Sequence, residues 1–194
     1  MKKFTYVIEH MEDTVDGWPK IEYMNMIKHM GSDHVVLSHL KPELLNAIPC
    51  ITQTESVQDW PVEKQKRVLL LDPSSPHELK PEDATDFDYL LFGGILGDDP
   101  PQDRTKILRN MGFATRHLGS VQMTTDTAVL VSQQVLEFGH RLVDLKFVDF
   151  PEIKLGKKQS VEMPFRYLVD EAGNPKMPPG LIEHLKASND EPLV

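Results

Sequence analysis

The sequence predicts an α/β protein, a mostly parallel sheet flanked by helices. Two observations carry that prediction. Apolar, β-branched runs alternate with segments of helical periodicity along most of the chain. The strongest runs, "RVLLLD" and "DYLLFGG", are continuously apolar rather than alternating, as strands covered on both faces must be. With 194 residues the chain suits one domain, 1–194, whose C-terminal part from about residue 145 to 194 changes character.

"FTYVIEH" (residues 4–10) reads as a first buried strand. "WPKIEYMNMIKHMG" follows as a helix with Ile21, Met24 and Ile27 or Lys28 at helical spacing and Gly31 as its stop. "HVVLSHL" is a second strand. A polar connector with Pro42, Pro49 and Pro61 then runs from Ser38 to Val68. "RVLLLDPSSP" gives a third strand, cut off by Pro73 and Pro76. "DFDYLLFGG" gives a fourth. Pro100 and Pro101 suit a first helical turn behind Asp98 and Asp99, with Ile107, Leu108 and Met111 as its stripe and Gly112 as its end.

"FATRHLG" is a short fifth strand. In "VQMTTDTAVLVSQQVLEFG" a helix places Ala128, Val131, Val135 and Phe138 on one face and closes at Gly139, with Thr124 or Thr125 as its cap. The C-terminal part mixes hairpin-like pieces around Gly156 and Gly173 with a short helix from Leu181 to Lys186. "ASNDEPLV" reads as a frayed end.

Composition narrows the function. Hydrophobic residues are 40% and charged residues 26%, the balance of a soluble globular protein. No apolar stretch approaches a membrane span, and "MKKFTYVIEHMED" turns acidic too early for a signal peptide. The single Cys50 excludes an internal disulfide and a thiolate metal cluster, so a reducing, cytoplasmic location is expected. The net charge of −9 comes without a dense basic run, which opposes a phosphate-rich partner. Such a surface suits a cationic partner, although acidity also serves solubility alone.

Ligands of parallel α/β sheets collect beyond the carboxyl ends of the strands. Three strand exits here are unusual: "LLLDPSSP", "FGGILGDDPP" and "RHLGSVQMTTDTA". Glycines permit close approach of the main chain, prolines stiffen it and small hydroxyl residues hydrogen-bond without bulk. Each loop alone reads as a turn, a strand exit or a helix cap. "FGGILG" is neither a Walker loop, since no Gly-Lys-Ser/Thr follows, nor the dinucleotide fingerprint. Leu118, Val121 and Met123 are placed to sandwich a flat ring.

Taken together, "VIEHMED", "LKPEDATDFDYLLFGGILGDDPPQDRT", "LGSVQMTTDTA", "KFVDFPEI" and "EMPFRYLVD" resemble the SPOUT class of S-adenosylmethionine-dependent methyltransferases. Within it the chain is similar to the branch described as predicted RNA methyltransferases, which includes protein arginine methyltransferases acting on a small-subunit ribosomal protein. The resemblance covers almost the whole chain, except that the connector from Leu40 to Lys66 aligns poorly. It implies a C-terminal trefoil knot, although general topology rules disfavour knots. It also implies a cofactor pocket lined by Leu71, Asp72 and Pro73, by Phe92, Gly93, Gly94 and Gly97, and by Leu118, Gly119, Gln122, Met123 and Thr125. The arginine-modifying branch is further expected to be monomeric.

Methyl transfer from a sulfonium needs alignment above all, and a guanidinium nucleophile needs carboxylates to grip and deprotonate it. Asp98, Asp126 and Glu9 are the acids assigned to that task, with Asp99, Asp103 and Glu12 nearby. Helix capping explains Asp98, Asp99 and Asp126 equally well. Glu9 directly after an apolar strand is harder to explain by structure alone. The eight histidines lack metal-ligand spacing, and no metal is expected. Arg166 in "EMPFRY" pairs an acid or lines a substrate groove.

Three functions fit these features. The first is a protein arginine methyltransferase acting on a basic ribosomal protein. An RNA methyltransferase is the second, which the acidic balance disfavours. The third is a non-catalytic ribosome-associated factor, against which the intact loops argue.

Overall fold

The computed structural model describes residues 1–94, 103 and 105–189. Its centre is a six-stranded sheet in the order β3-β2-β1-β5-β4-β6, every neighbouring pair parallel. The strands are β1 (Thr5–His10), β2 (Val35–Ser38), β3 (Ile51–Thr52), β4 (Val68–Leu71), β5 (Tyr89–Gly94) and β6 (Ala114–Arg116). Helices α1 (Trp18–Met30), α2 (Val62–Gln65), α3 (Lys106–Arg109) and α4 (Thr125–Leu136) alternate with them. This is the predicted architecture. The edge strand β3 comes from the connector, where the sequence predicts no regular structure.

Both faces of the sheet are covered. From β1, β4 and β5, Tyr6, Ile8, Leu69, Leu71, Leu90 and Phe92 join one large apolar cluster with α1 and α4. The alternate residues Val7, Val68, Leu70 and Leu91 join a second cluster with Val57, Trp60 and Leu108. A period of two distributed over two cores explains why these strands read as unbroken apolar runs.

The helical stripes differ in detail from the periodicity. In α1 the residues turned inward are Tyr23, Met26 and Met30, together with Glu22 and Asn25, whereas Met24 is 42% exposed. In α4 Val131 and Val135 are buried as predicted, but Phe138 lies beyond the helix end and is 44% exposed. The cause is that α4 is nearly enclosed, with Val129, Leu130 and Leu136 buried as well. In α3 only Leu108 is buried; Ile107 is 57% exposed. Pro100 and Pro101, read as its first turn, lie outside the described residues.

The C-terminal part folds back over this frame. β7 (Phe147–Asp149) pairs antiparallel with β10 (Arg166–Leu168), and between them β8 (Glu152–Lys154) and β9 (Ser160–Glu162) form the hairpin around Gly156. The turn at Gly173 is held by Asp170, which accepts the backbone N–H groups of Ala172 (2.9 Å) and Asn174 (2.8 Å). Helix α5 (Leu181–Asn189) is longer than the predicted segment. Leu181 packs with Met163, Phe165 and Tyr167 in a third cluster, against which Trp18 and Ile21 of α1 rest.

Candidate active site

All six strands point the same way, so their carboxyl ends share one edge of the sheet. The direction of chain progression reverses between β1 and β5, and a crevice opens beyond such a reversal. There Glu9 stands in register with Gly93 and His10 with Gly94. Phe92 is buried and stacks on Tyr6, with ring centroids 6.5 Å apart. The Thr125 hydroxyl, at the start of α4, donates to the Gly93 carbonyl at 3.3 Å. This bond joins two of the three loops singled out in the sequence.

Leu118, Gly119, Val121, Gln122, Met123 and Thr125 are half-buried, neither core nor free surface, while Ser120 is exposed. Gly119 has φ +106°, a conformation that side chains resist, and its N–H donates to His117 Nδ1 at 3.0 Å. An added Cβ there would also meet Arg166 Nη1 at 3.5 Å. Backbone bonding anchors the loop to the C-terminal part, since Arg166 N donates to the Gln122 carbonyl at 2.8 Å. Arg166 itself pairs with Asp149 at 2.6 and 2.8 Å, the structural alternative expected for "EMPFRY".

The third loop is braced from below. Leu71 is buried, Pro73 is exposed, and Asp72 between them is 1% exposed. Asp72 accepts Arg109 Nε at 2.5 Å and Nη2 at 2.8 Å, plus the Ser74 N–H and hydroxyl, both at 2.9 Å. Burial opposes its charge, but these donors hold its carboxyl below the ordinary range. Arg109 also binds Asp103 at 2.9 and 3.0 Å. The carboxylate of Asp72 therefore stiffens the loop.

Of the three acids assigned to catalysis, the two described ones, Glu9 and Asp126, share no hydrogen-bond partner. Gly97 and Asp98 lie outside the described residues. Glu9 is 2% exposed and turns toward the connector. It accepts the hydroxyls of Ser38 (2.6 Å) and Ser56 (2.5 Å) and the N–H of Val57 (3.2 Å). That answers the energetic objection to a charge after an apolar strand, because its oxygens are satisfied.

Asp126 sits differently. It is 1% exposed and accepts the Thr124 hydroxyl and the Asn25 amide, each at 2.8 Å. Beside it lies Glu22 of α1, which the periodicity does not single out. Glu22 accepts Trp18 Nε1 at 2.7 Å. Thr124, at the N-cap of α4, makes no side-chain cap bond; its hydroxyl serves Asp126 and Thr127. Burial, then the charge of Asp126, pushes Glu22 well above the usual carboxylate range; burial raises Asp126 too.

Among the described residues two buried polar atoms have no hydrogen-bond partner, His10 Nε2 and the Tyr167 hydroxyl. His10 binds the Tyr23 hydroxyl through Nδ1 at 2.7 Å, and burial lowers its pKa, so the ring is neutral near pH 7. Tyr167 is fully buried, with Asp126 and Glu22 both acting on its hydroxyl. Glu22 was legible only as an acid on the inward side of α1, four residues after Trp18. Tyr167 carried no signal, because its placement depends on the tail folding back.

The fold recurs in a dual-specific Trm10 from Thermococcus kodakaraensis, which superposes with a TM-score of 0.53 at 14% identity over 73% of this chain and 96% of that one. Sheet and edge together define a SPOUT-class methyltransferase fold. The family model for "Protein arginine N-methyltransferase SFM1-like" matches residues 5–191. The protein arginine N-methyltransferase SFM1 of Saccharomyces cerevisiae is 38% identical over 206 residues, covering 97% of each chain. The crystal structure of yeast SFM1 complexed with SAM superposes with a TM-score of 0.89 at 37% identity, over 98% of this chain and 93% of that one. The chain belongs to the SFM1-like family of protein arginine N-methyltransferases.

Proposed function

We propose that this protein transfers the methyl group of S-adenosylmethionine to an arginine side chain of a basic, small-subunit ribosomal protein, acting as a cytoplasmic monomer with the knotted C-terminal fold of its class. The observation that carries the reading is the family match over residues 5–191. The net charge of −9 supports a cationic protein substrate over RNA, whose phosphates call for a basic face.

The residues at the sheet edge fit the cofactor. Gly119 in a positive-φ conformation, the glycine end of β5 and the Leu118–Met123 stretch leave main chain accessible where a nucleoside is to be gripped. His10 Nε2, buried opposite Gly94 and unpartnered among the described residues, is a polar group for a ligand atom. Leu71, Phe92, Leu118, Met123 and Thr125 would hold the cofactor, and Asp72 would set the loop through Arg109. When bound, S-adenosylmethionine supplies an electrophilic methyl group on sulfur.

The chain's own contribution is then positional and electrostatic. A guanidinium is a poor nucleophile while its positive charge is free in water. Buried carboxylates orient one nitrogen and receive the proton that leaves as the new N–C bond forms. Asp126 stands one residue from Thr125, whose hydroxyl donates to the Gly93 carbonyl, and that proximity supports its assignment to this task.

Incubation with methyl-labelled S-adenosylmethionine and ribosomal subunits tests the reading. Label is expected in one small-subunit protein, and an arginine-to-lysine change in that protein removes it. Label in RNA overturns the proposal.

A further inference from the structure

The loop from Leu118 to Met123 is held from two sides. Its first half hangs from β6, where the Gly119 N–H donates to His117 Nδ1 at 3.0 Å and the His117 N–H to the His77 carbonyl at 2.8 Å. Its second half meets β10 of the C-terminal part. There the Arg166 N–H donates to the Gln122 carbonyl at 2.8 Å, and Met123 and Arg166 form a parallel bridge. The side chain of the same residue reaches the start of the loop, with Nη1 3.5 Å from where a Cβ on Gly119 would stand. Arg166 thus touches the loop at both ends, by backbone at one and by guanidinium at the other.

That guanidinium is fixed in its plane. Nε and Nη2 are committed to the two oxygens of Asp149 at 2.6 and 2.8 Å, a bidentate geometry. The Phe147 ring centroid lies 5.0 Å from Cζ. Both partners belong to β7, which sets Asp149 opposite Arg166 and Phe147 opposite Leu168 in antiparallel register. With the Arg166 side chain 23% and the Asp149 side chain 36% exposed, the pair adds little to global stability. Its local effect is larger. Two of the three guanidinium nitrogens are spent on Asp149, which leaves Nη1 as a rigid wall against Gly119.

We propose that Arg166, held by Asp149, is the positioning residue of the cofactor loop, so that cofactor binding and docking of the β7–β10 segment are one coupled equilibrium. The proposal rests on the cofactor half of the reading above and deepens it. A nucleoside gripped by main-chain groups is bound well only if those groups are already in place. Arg166 supplies that order from a part of the chain that folds back over the sheet. Coupling is reciprocal: a cofactor that prefers the braced loop must also stabilise the strands that brace it. Lysine cannot take the part, because its ammonium lacks the planar fork that grips Asp149 while facing Gly119.

Calorimetric titration of the full-length protein with S-adenosylhomocysteine, joined to hydrogen exchange of residues 147–168 with and without it, tests the coupling. In the wild type S-adenosylhomocysteine is expected to slow exchange in β7 and β10. R166A and R166K each bind it on the order of 10-fold more weakly and lose that protection, while the unliganded proteins melt within a few degrees of the wild type. D149N, which keeps the arginine without its bidentate partner, binds several-fold more weakly. Wild-type affinity in R166K overturns the proposal, since that variant retains charge and backbone N–H but not the fork. Binding to the wild type without protection of 147–168 overturns it too. So does a large fall in melting temperature with faster exchange throughout the unliganded variants, which marks Arg166 as a strut of the fold alone. These three outcomes leave the cofactor reading standing; a wild type that binds no S-adenosylhomocysteine sinks that reading and the proposal with it.

Discussion

Asp72 shows how one side chain fixes a loop. Its carboxylate is taken up by Arg109 and Ser74. Arg109→Ala leaves that buried charge unpaired. Loss of a fully buried partner costs about 3–5 kcal/mol, and Arg109 is 30% exposed, so about 2 kcal/mol is expected in urea unfolding. Because the folded-state pKa of Asp72 is lowered, its stabilisation is present above the ordinary aspartate value of 3.8 and is lost as pH falls below it. Arg109→Ala should therefore also flatten the acid limb of stability against pH. Gly119 acts through backbone instead. A side chain at φ +106° costs about 1–2 kcal/mol, so Gly119→Ala is expected to weaken S-adenosylhomocysteine binding about tenfold or more in calorimetry. Unchanged affinity would remove Gly119 from the cofactor wall.

Helix α1 explains why the strands were legible and the helices less so. A strand's two faces are fixed by alternation, and here both meet apolar cover, so the residues alone locate them. The apolar spacing of α1 suggested one stripe through Ile21, Met24 and Ile27. The helix instead serves two partners: Tyr23, Met26 and Met30 face the sheet, while Trp18 and Ile21 face the folded-back tail. Nothing local announces that the tail returns. The same return delivers Tyr167 to Glu22 and Asp126, so this polar group was invisible in the sequence although Asp126 itself was picked out. Met26→Ala removes a buried side chain from the large apolar cluster and is expected to cost about 2–4 kcal/mol by chemical denaturation. Met24→Ala, at a half-exposed position, should cost well under about 1 kcal/mol.

The acids whose pKa is clearly shifted fall into two groups of opposite sign. Asp72, Asp88, Asp103 and Asp149 are held below the ordinary range by arginines and stabilise the fold above pH 3.8. Glu22 is raised, so its contribution is complete below the ordinary glutamate value of 4.5 and fades as pH climbs through its folded value. Stability of the unliganded wild type should accordingly decline on the alkaline side of that value, and E22Q should remove part of the decline in thermal melts. The first group braces the fold, and the second is a cost the fold carries. The most direct measurement of the account is acid hydrolysis of the labelled ribosomal protein after reaction with methyl-labelled S-adenosylmethionine, followed by separation of the methylated amino acids. Label eluting as methylarginine is the predicted result. Label in methyl-lysine, or in no amino acid at all, would contradict it.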